Sequence, residues 1–98
     1  VAGLVVLDTW TPNSAHVHVL VRTAAACRRL LAEALEYAFR HVGILLGVIR
    51  SSNERSLRLT RKVGFREVSR VVDGWQAGED LIVFEMRREE CRWIERAA

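Results

Sequence analysis

The sequence predicts an α/β domain (α+β in its mixed sheet), with elements in the order strand, strand, helix, strand, helix, strand, strand. Three observations lead there. Runs rich in Val, Leu and Ile recur at strand length, at 1–9, 44–49 and 80–87. One long segment, 24–42, carries its apolar residues at helical spacing. Residues 53–65 read as a short capped helix that stops at a glycine and passes straight into an extended run.

Residues 1–9 alternate little and read as a buried strand. Trp10-Thr11-Pro12-Asn13-Ser14 gathers turn formers. From Ala15 to Val21 polarity alternates strictly, with His16 and His18 on one face and Val17, Val19 and Val21 on the other. These two strands are placed to pair as a hairpin. Between Ala24 and Val42 the stripe is Cys27, Leu30, Leu31, Ala34, Leu35, Ala38 and Val42. Glu36 and Arg40, on the other side, are set for an i,i+4 ion pair. Gly43 is a natural stop, and Ile44–Ile49 follows after a tight link. That link predicts a strand–helix–strand crossover with a parallel strand pair.

Ser51–Gly64 is the second helix. Asn53 can accept from the free amides of its first turn. Arg61 and Lys62 put positive charge at its carbonyl end, and Gly64 takes the left-handed position that ends it. Phe65–Val72 and Asp80–Arg87 are the last strands, joined by a long polar connection over Asp73–Glu79 that could receive an amine. The tail, Arg88–Ala98, reads as a last helical turn or a strand extension. Trp10, Trp75 and Trp93 are expected as packing anchors or groove lining.

Ninety-eight residues allow one domain, 1–98, with a limited core. The composition, 50% hydrophobic and 28% charged, is that of a folded soluble domain. No apolar run reaches the length of a membrane span, and no signal-peptide pattern is present. The net charge of +3 suits a polyanionic small molecule, and nothing beyond that charge points to nucleic acid. Cys27 and Cys91 show no ligand or disulfide spacing, so no metal and a reducing, cytoplasmic setting are expected. His16, His18 and His41 also lack a zinc spacing. The chain opens on Val1 inside an apolar run, which suggests that the native chain extends upstream.

The segment from Asn53 to Phe65 resembles the second cofactor motif of the GCN5-related N-acetyltransferases, Asn-x-x-(Ala/Ser)-x-x-Leu-(Tyr)-x-Lys-x-Gly-Phe, through Asn53, Ser56, Leu59, Lys62, Gly64 and Phe65. The element order resembles the same superfamily from its third strand to its seventh. The likeness covers nearly the whole chain and leaves out the family's first strand, first two helices and second strand. Glu85–Trp93 also looks like the C-terminal end of small acetyltransferase-like proteins of tailed bacteriophages and their hosts.

The resemblance implies transfer of an acetyl group from acetyl-CoA to a primary amine on a small molecule or protein, without metal. It implies a pyrophosphate-binding loop at Val21, Arg22, Thr23, Ala24, Ala25 and Ala26, where backbone amides at a helix start meet the cofactor. Arg22 fits the start of that motif, whereas Ala24 stands where the family carries a central glycine. Asn53 is implied as a contact to the pantetheine arm, and Arg61 joins the cofactor-binding set. The proton donor to the departing thiolate is a tyrosine in many members. Thr60 holds that place here, and a serine, Ser56, resembles the pattern of the ribosomal-protein alanine acetyltransferases. Ser56 is thus the candidate acid, with Thr60 behind it. His18, with His16, is the candidate base, because histidine exchanges protons near neutral pH. A backbone amide within Val19–Arg22 is expected to polarise the acetyl carbonyl.

The alternative is a non-catalytic module that keeps the fold for binding or assembly. The missing loop glycine and tyrosine and the absent N-terminal elements favour it. Either way, a sheet with an open edge predicts self-association or a protein partner.

Overall fold

A computed structural model describes residues 3–21 and 24–94. Strand β1 (Gly3–Asp8) and strand β2 (Ser14–Val21) form an antiparallel hairpin, with Val6 opposite His18 and Asp8 opposite His16. Helix α1 (Ala24–His41) leads to β3 (Ile44–Arg50), and α2 (Glu54–Val63) leads to β4 (Arg66–Gln76). Strand β5 (Glu79–Arg87) runs back between β3 and β4, antiparallel to both, so the sheet order is β1-β2-β3-β5-β4. A 3-10 turn at Arg88–Glu90 follows. The element order is the one the sequence predicts. Among the described residues no helix is long and apolar enough to cross a membrane.

One face of the sheet carries the core. Ala15 and Val17 of β2, Leu45 of β3 and Ile82, Phe84 and Met86 of β5 share that face through the strand registers. They join Leu31, Leu35 and Ala38 of α1 and Leu57 and Val63 of α2 in a single cluster. Both helices therefore cover the same side. The predicted stripe of α1 holds for Leu31, Leu35, Ala38 and Val42, and Phe39 joins it because it sits one helical turn from Leu35. The opposite face has no described helix on it and leaves Leu4, Val6, Val48 and Val71 exposed.

Several boundaries differ from the sequence reading. Thr9 is not strand but turns at φ 51°. Ser51 and Ser52 form a turn ahead of α2, whose cap is Asn53: its Oδ1 accepts from Ser56 N at 3.2 Å. Gly64 ends the helix at φ 120°, where a side chain is strained, and its amide donates back to Thr60 and Arg61. Strand β4 continues through Asp73 and Gly74 to Gln76, so the predicted long connection shrinks to a tight turn at Ala77 and Gly78. A bulge between Val71 and Gln76 absorbs Asp73, at φ 57°. The carboxylates there bind the hairpin itself: Asp73 accepts from Gly78 N at 2.8 Å, and Asp80 accepts from Asp73 N at 3.0 Å.

Candidate functional site

Strands β2 and β3 pair through three residues only, Ser14 with Ile44, Ala15 with Leu45 and His16 with Leu46. Beyond His16 they part. Strand β2 keeps its pairing to β1, and β3 keeps its pairing to β5 along its whole length. The closed end is clamped by Asn13, whose carbonyl accepts from Gly43 N and Ile44 N at 3.3 and 3.1 Å, and whose Oδ1 accepts from Gly43 N at 3.0 Å. The result is a wedge, fixed at one end and open at the end where α1 and α2 begin.

The wedge holds a cleft of about 320 Å³. It opens at Gly47, the first residue of β3 past the paired stretch. A Cβ built on Gly47 meets nothing within 4 Å, so the missing side chain is space in the cleft. Val17, Val19 and Leu31 form one apolar wall, and Ile49 and Phe65 contribute to the other. Helix α2 supplies a polar line. Ser56, Leu59, Thr60 and Val63 recur at helical spacing and all face the cleft, with Asn53 at the cap above them. Leu57, one turn before Thr60 on the neighbouring flank of that helix, is buried in the core.

The candidate residues fall as follows. Asn53, Ser56, Thr60 and His18 line the one cleft. Val21 ends β2, and Ala24, Ala25 and Ala26 form the first turn of α1, at the end where β2 and β3 part. Arg22 and Thr23 lie outside the described residues. Arg61 sits at the other end of α2. It pairs with Glu67 at 3.3 Å and lies over the Phe84 ring, because at its place on the last turn its side chain reaches β4 and β5, whereas Thr60 and Val63 of that turn line the cleft. His18 is on the uncovered face, its Nε2 3.1 Å from Asp8 Oδ1. That contact holds the Asp8 carboxyl below the ordinary aspartate value of 3.8, helped by the Thr9 hydroxyl and the two histidines and opposed by partial desolvation. Among the described residues no group of three His, Cys, Asp or Glu side chains could hold a metal ion.

Gly47 and Arg50 escape the sequence reading, whereas Trp75 is one of the tryptophans expected as anchors or groove lining. A glycine inside an apolar strand is a signal for close approach, and Gly47 carried it. Trp75 reaches the cleft only because β4 bulges and continues. Its ring lies 5.3 Å from the Arg50 guanidinium carbon, at stacking distance. Glu79 stands 4.0 Å from the same arginine.

No family model matches the sequence, and no curated protein does. Solved structures do. The ribosomal-protein-alanine N-acetyltransferase from Brucella melitensis is 27% identical with a TM-score of 0.71, over 88% of this chain and 61% of that one. A spermidine N-acetyltransferase from Vibrio cholerae, solved with CoA and spermine, is 19% identical with a TM-score of 0.77, over 91% of this chain and 59% of that one. Mycobacterium smegmatis RimJ, solved with CoA-disulfide, is 22% identical with a TM-score of 0.76, over 93% of this chain and 49% of that one. The chain thus spans about half to three-fifths of the length of these proteins. The wedge between two parallel strands, the capped helix beside it and these likenesses agree: the chain has the fold of the GCN5-related N-acetyltransferase superfamily.

Proposed function

We propose that this chain, read as one acetyltransferase-like domain over 1–98, transfers an acetyl group from acetyl-CoA to a primary amine. One observation carries the reading: β2 and β3 separate after three residue pairs and leave a cleft beneath two helix starts. A narrow apolar slot with polar groups along one wall fits an extended pantetheine arm. Asn53 is positioned to contact that arm. The first turn of α1, reached through Val21, Arg22, Thr23, Ala24, Ala25 and Ala26, offers backbone amides to the pyrophosphate. Arg61, at the opposite end of the helix that Asn53 caps, adds positive charge to the domain.

Bound acetyl-CoA supplies the activated acetyl group as a thioester. The chain's own task is to manage protons and dipoles around it. His18, at the uncovered mouth of the cleft, takes a proton from the acceptor ammonium. Ser56 returns one to the leaving thiolate, with Thr60 one turn on as the second donor. The edge of β2 beyond His16, unpaired towards β3, leaves backbone donors to polarise the acetyl carbonyl. The acceptor is an amine on a small molecule or a protein. The same proposal includes a cytoplasmic setting, and self-association or a protein partner over the uncovered sheet face.

Calorimetric titration with acetyl-CoA tests the reading. Binding in the micromolar range is expected, as is release of CoA thiol with spermidine or an alanyl peptide amide as acceptor. Asn53→Ala should abolish binding and lower stability by about 1 kcal/mol through the lost cap. Asn53→Ser keeps a capping oxygen, so it should restore stability and leave binding impaired. Folded protein that binds no acetyl-CoA would sink the proposal and leave the non-catalytic module.

A further inference from the structure

We propose that Asp8 is a positioning residue for His18, the two forming a carboxylate–imidazole dyad at the uncovered mouth of the cleft. The inference rests on the acetyl-transfer reading above and deepens it. Asp8 closes β1 and lies diagonally across the hairpin from His18, since the residues directly opposite are Val6 for His18 and His16 for Asp8. His18 Nε2 is 3.1 Å from Asp8 Oδ1. Thr9 Oγ1 donates to the same oxygen at 3.1 Å. Thr9 does so from φ 51°, a backbone region that β-branched residues rarely enter. Such strain persists only where the surroundings impose it, and functional sites are where it collects.

The chemistry follows from donor inventory. An ionised carboxylate can only accept, so the imidazole nitrogen facing Asp8 must carry hydrogen. The neutral ring then presents Nδ1 as its basic nitrogen. The acceptor ammonium gives one proton to Nδ1, leaving a neutral amine with its electron pair free and an imidazolium beside Asp8. The imidazolium passes the proton to solvent, and Asp8 stays ionised throughout. Asp8 thereby fixes the tautomer and offsets the transient positive charge. Other ionisable groups on this side include His16, next along that face of β2, Arg50, across the cleft on β3, and Glu85 and Arg87 of β5, which lie opposite Leu46 and Ile44 and pair with each other; no described helix packs on that face. His18 and Asp8 are 53% and 50% exposed, which leaves the pair open to an incoming amine.

Two measurements on the full chain test this. The first follows the Asp8 carboxyl carbon by NMR through an acid titration. In His18→Ala its midpoint should rise towards 3.8, the ordinary value it sits below in the unaltered protein. An unmoved midpoint means that the contact is absent in solution and overturns the inference without any reference to catalysis. The second is steady-state acetyl transfer to spermidine. His18→Ala should lower kcat on the order of a hundredfold. Asp8→Asn should lower it on the order of tenfold with KM for acetyl-CoA unchanged, and Asp8→Glu should recover part of the loss. Full kcat in Asp8→Asn beside a crippled His18→Ala overturns the dyad alone. Full kcat in His18→Ala overturns His18 as base and the dyad with it, while acetyl transfer itself stands.

Discussion

Gly47 and Asn53 show how single residues set the proposed site, and they do so in opposite ways. Asn53 acts through what it has: an amide that caps α2 and borders the cleft. Gly47 acts through what it lacks. Its neighbours in β3 are large and apolar, and a glycine there weakens a strand by roughly 0.5–1 kcal/mol relative to alanine. Nothing in the core requires it, because a Cβ would touch no atom. Gly47→Val should therefore fold at least as stably as the parent, since valine suits a strand. Its side chain would occupy the cleft instead. Thermal melting and acetyl-CoA titration together check this: melting unchanged or raised, affinity reduced at least tenfold. A variant that binds as tightly as the parent would place the cofactor elsewhere. At this scale the sequence was legible where a residue's role is local. The Asn53 cap and the Gly64 stop follow from positions three or four residues apart. Asp8 with His18, and Arg50 with Trp75, are brought together by strand pairing across a hairpin and a bulge. No local pattern announces such pairs.

The elements are held by contacts that tie each helix's carbonyl end to the chain's last segment. Arg88 donates from Nε to Phe39 O at 2.7 Å and from Nη2 to Val42 O at 3.0 Å, closing the end of α1. Trp93 Nε1 donates to Val63 O at 2.8 Å, and Arg92 donates to Lys62 O, closing the end of α2. Each bond satisfies a carbonyl that a helix end leaves without an internal partner. The segment is itself anchored: Glu90 accepts from Arg87 N at 2.9 Å and from Arg66 Nε at 3.0 Å. Those donors hold its carboxyl below the ordinary glutamate value, the Arg87 amide first. The sequence left this tail open between a helical turn and a strand extension. Its composition is mostly charged with Trp93 and Ile94 inside it, and the partners lie 30 to 49 residues away. Hydrogen bonds to a charged donor are worth about 1.5–3 kcal/mol. Arg88→Ala should thus cost about 2 kcal/mol and lower the melting temperature on the order of 10 °C. Arg88→Lys should recover little, because one ammonium lacks the fork that reaches both carbonyls. Melting of the two variants by circular dichroism decides it, and an Arg88→Ala protein that melts with the parent would show the bonds to be idle.

As a whole the molecule is a slab, 47 × 31 × 20 Å, with helices on one side of the sheet. Its two parts, β1-β2 and β3-β5-β4, meet through three residue pairs and the Asn13 clamp. The wedge is thus a property of the assembled sheet and of no single element. The same one-sided build leaves a problem at the other face. Leu4 is 50% exposed, Val6 41%, Val48 38% and Val71 48%. All of β4 is exposed as well, and it forms an edge of the sheet. An edge strand with unpaired backbone beside an apolar face is a template for association. Part of this is already blunted, since β4 carries Arg66 and Arg70, which pair with Glu85 at 2.6 Å and Asp80 at 3.3 Å on β5 and put charge on the edge strand. Polar and charged groups also interrupt the uncovered face, at Asp8, His18, Glu85 and Arg87, yet Leu4, Val6, Val48 and Val71 stay exposed on it and should drive assembly. Light scattering after size exclusion should return a mass of at least twice the 11.2 kDa of the chain. Placing a charge at the centre of that face, with Val6→Lys and Val48→Glu together, should shift the population to monomer while circular dichroism stays that of the parent. A parent protein that elutes as a clean monomer at every concentration would show the face to be tolerated in water.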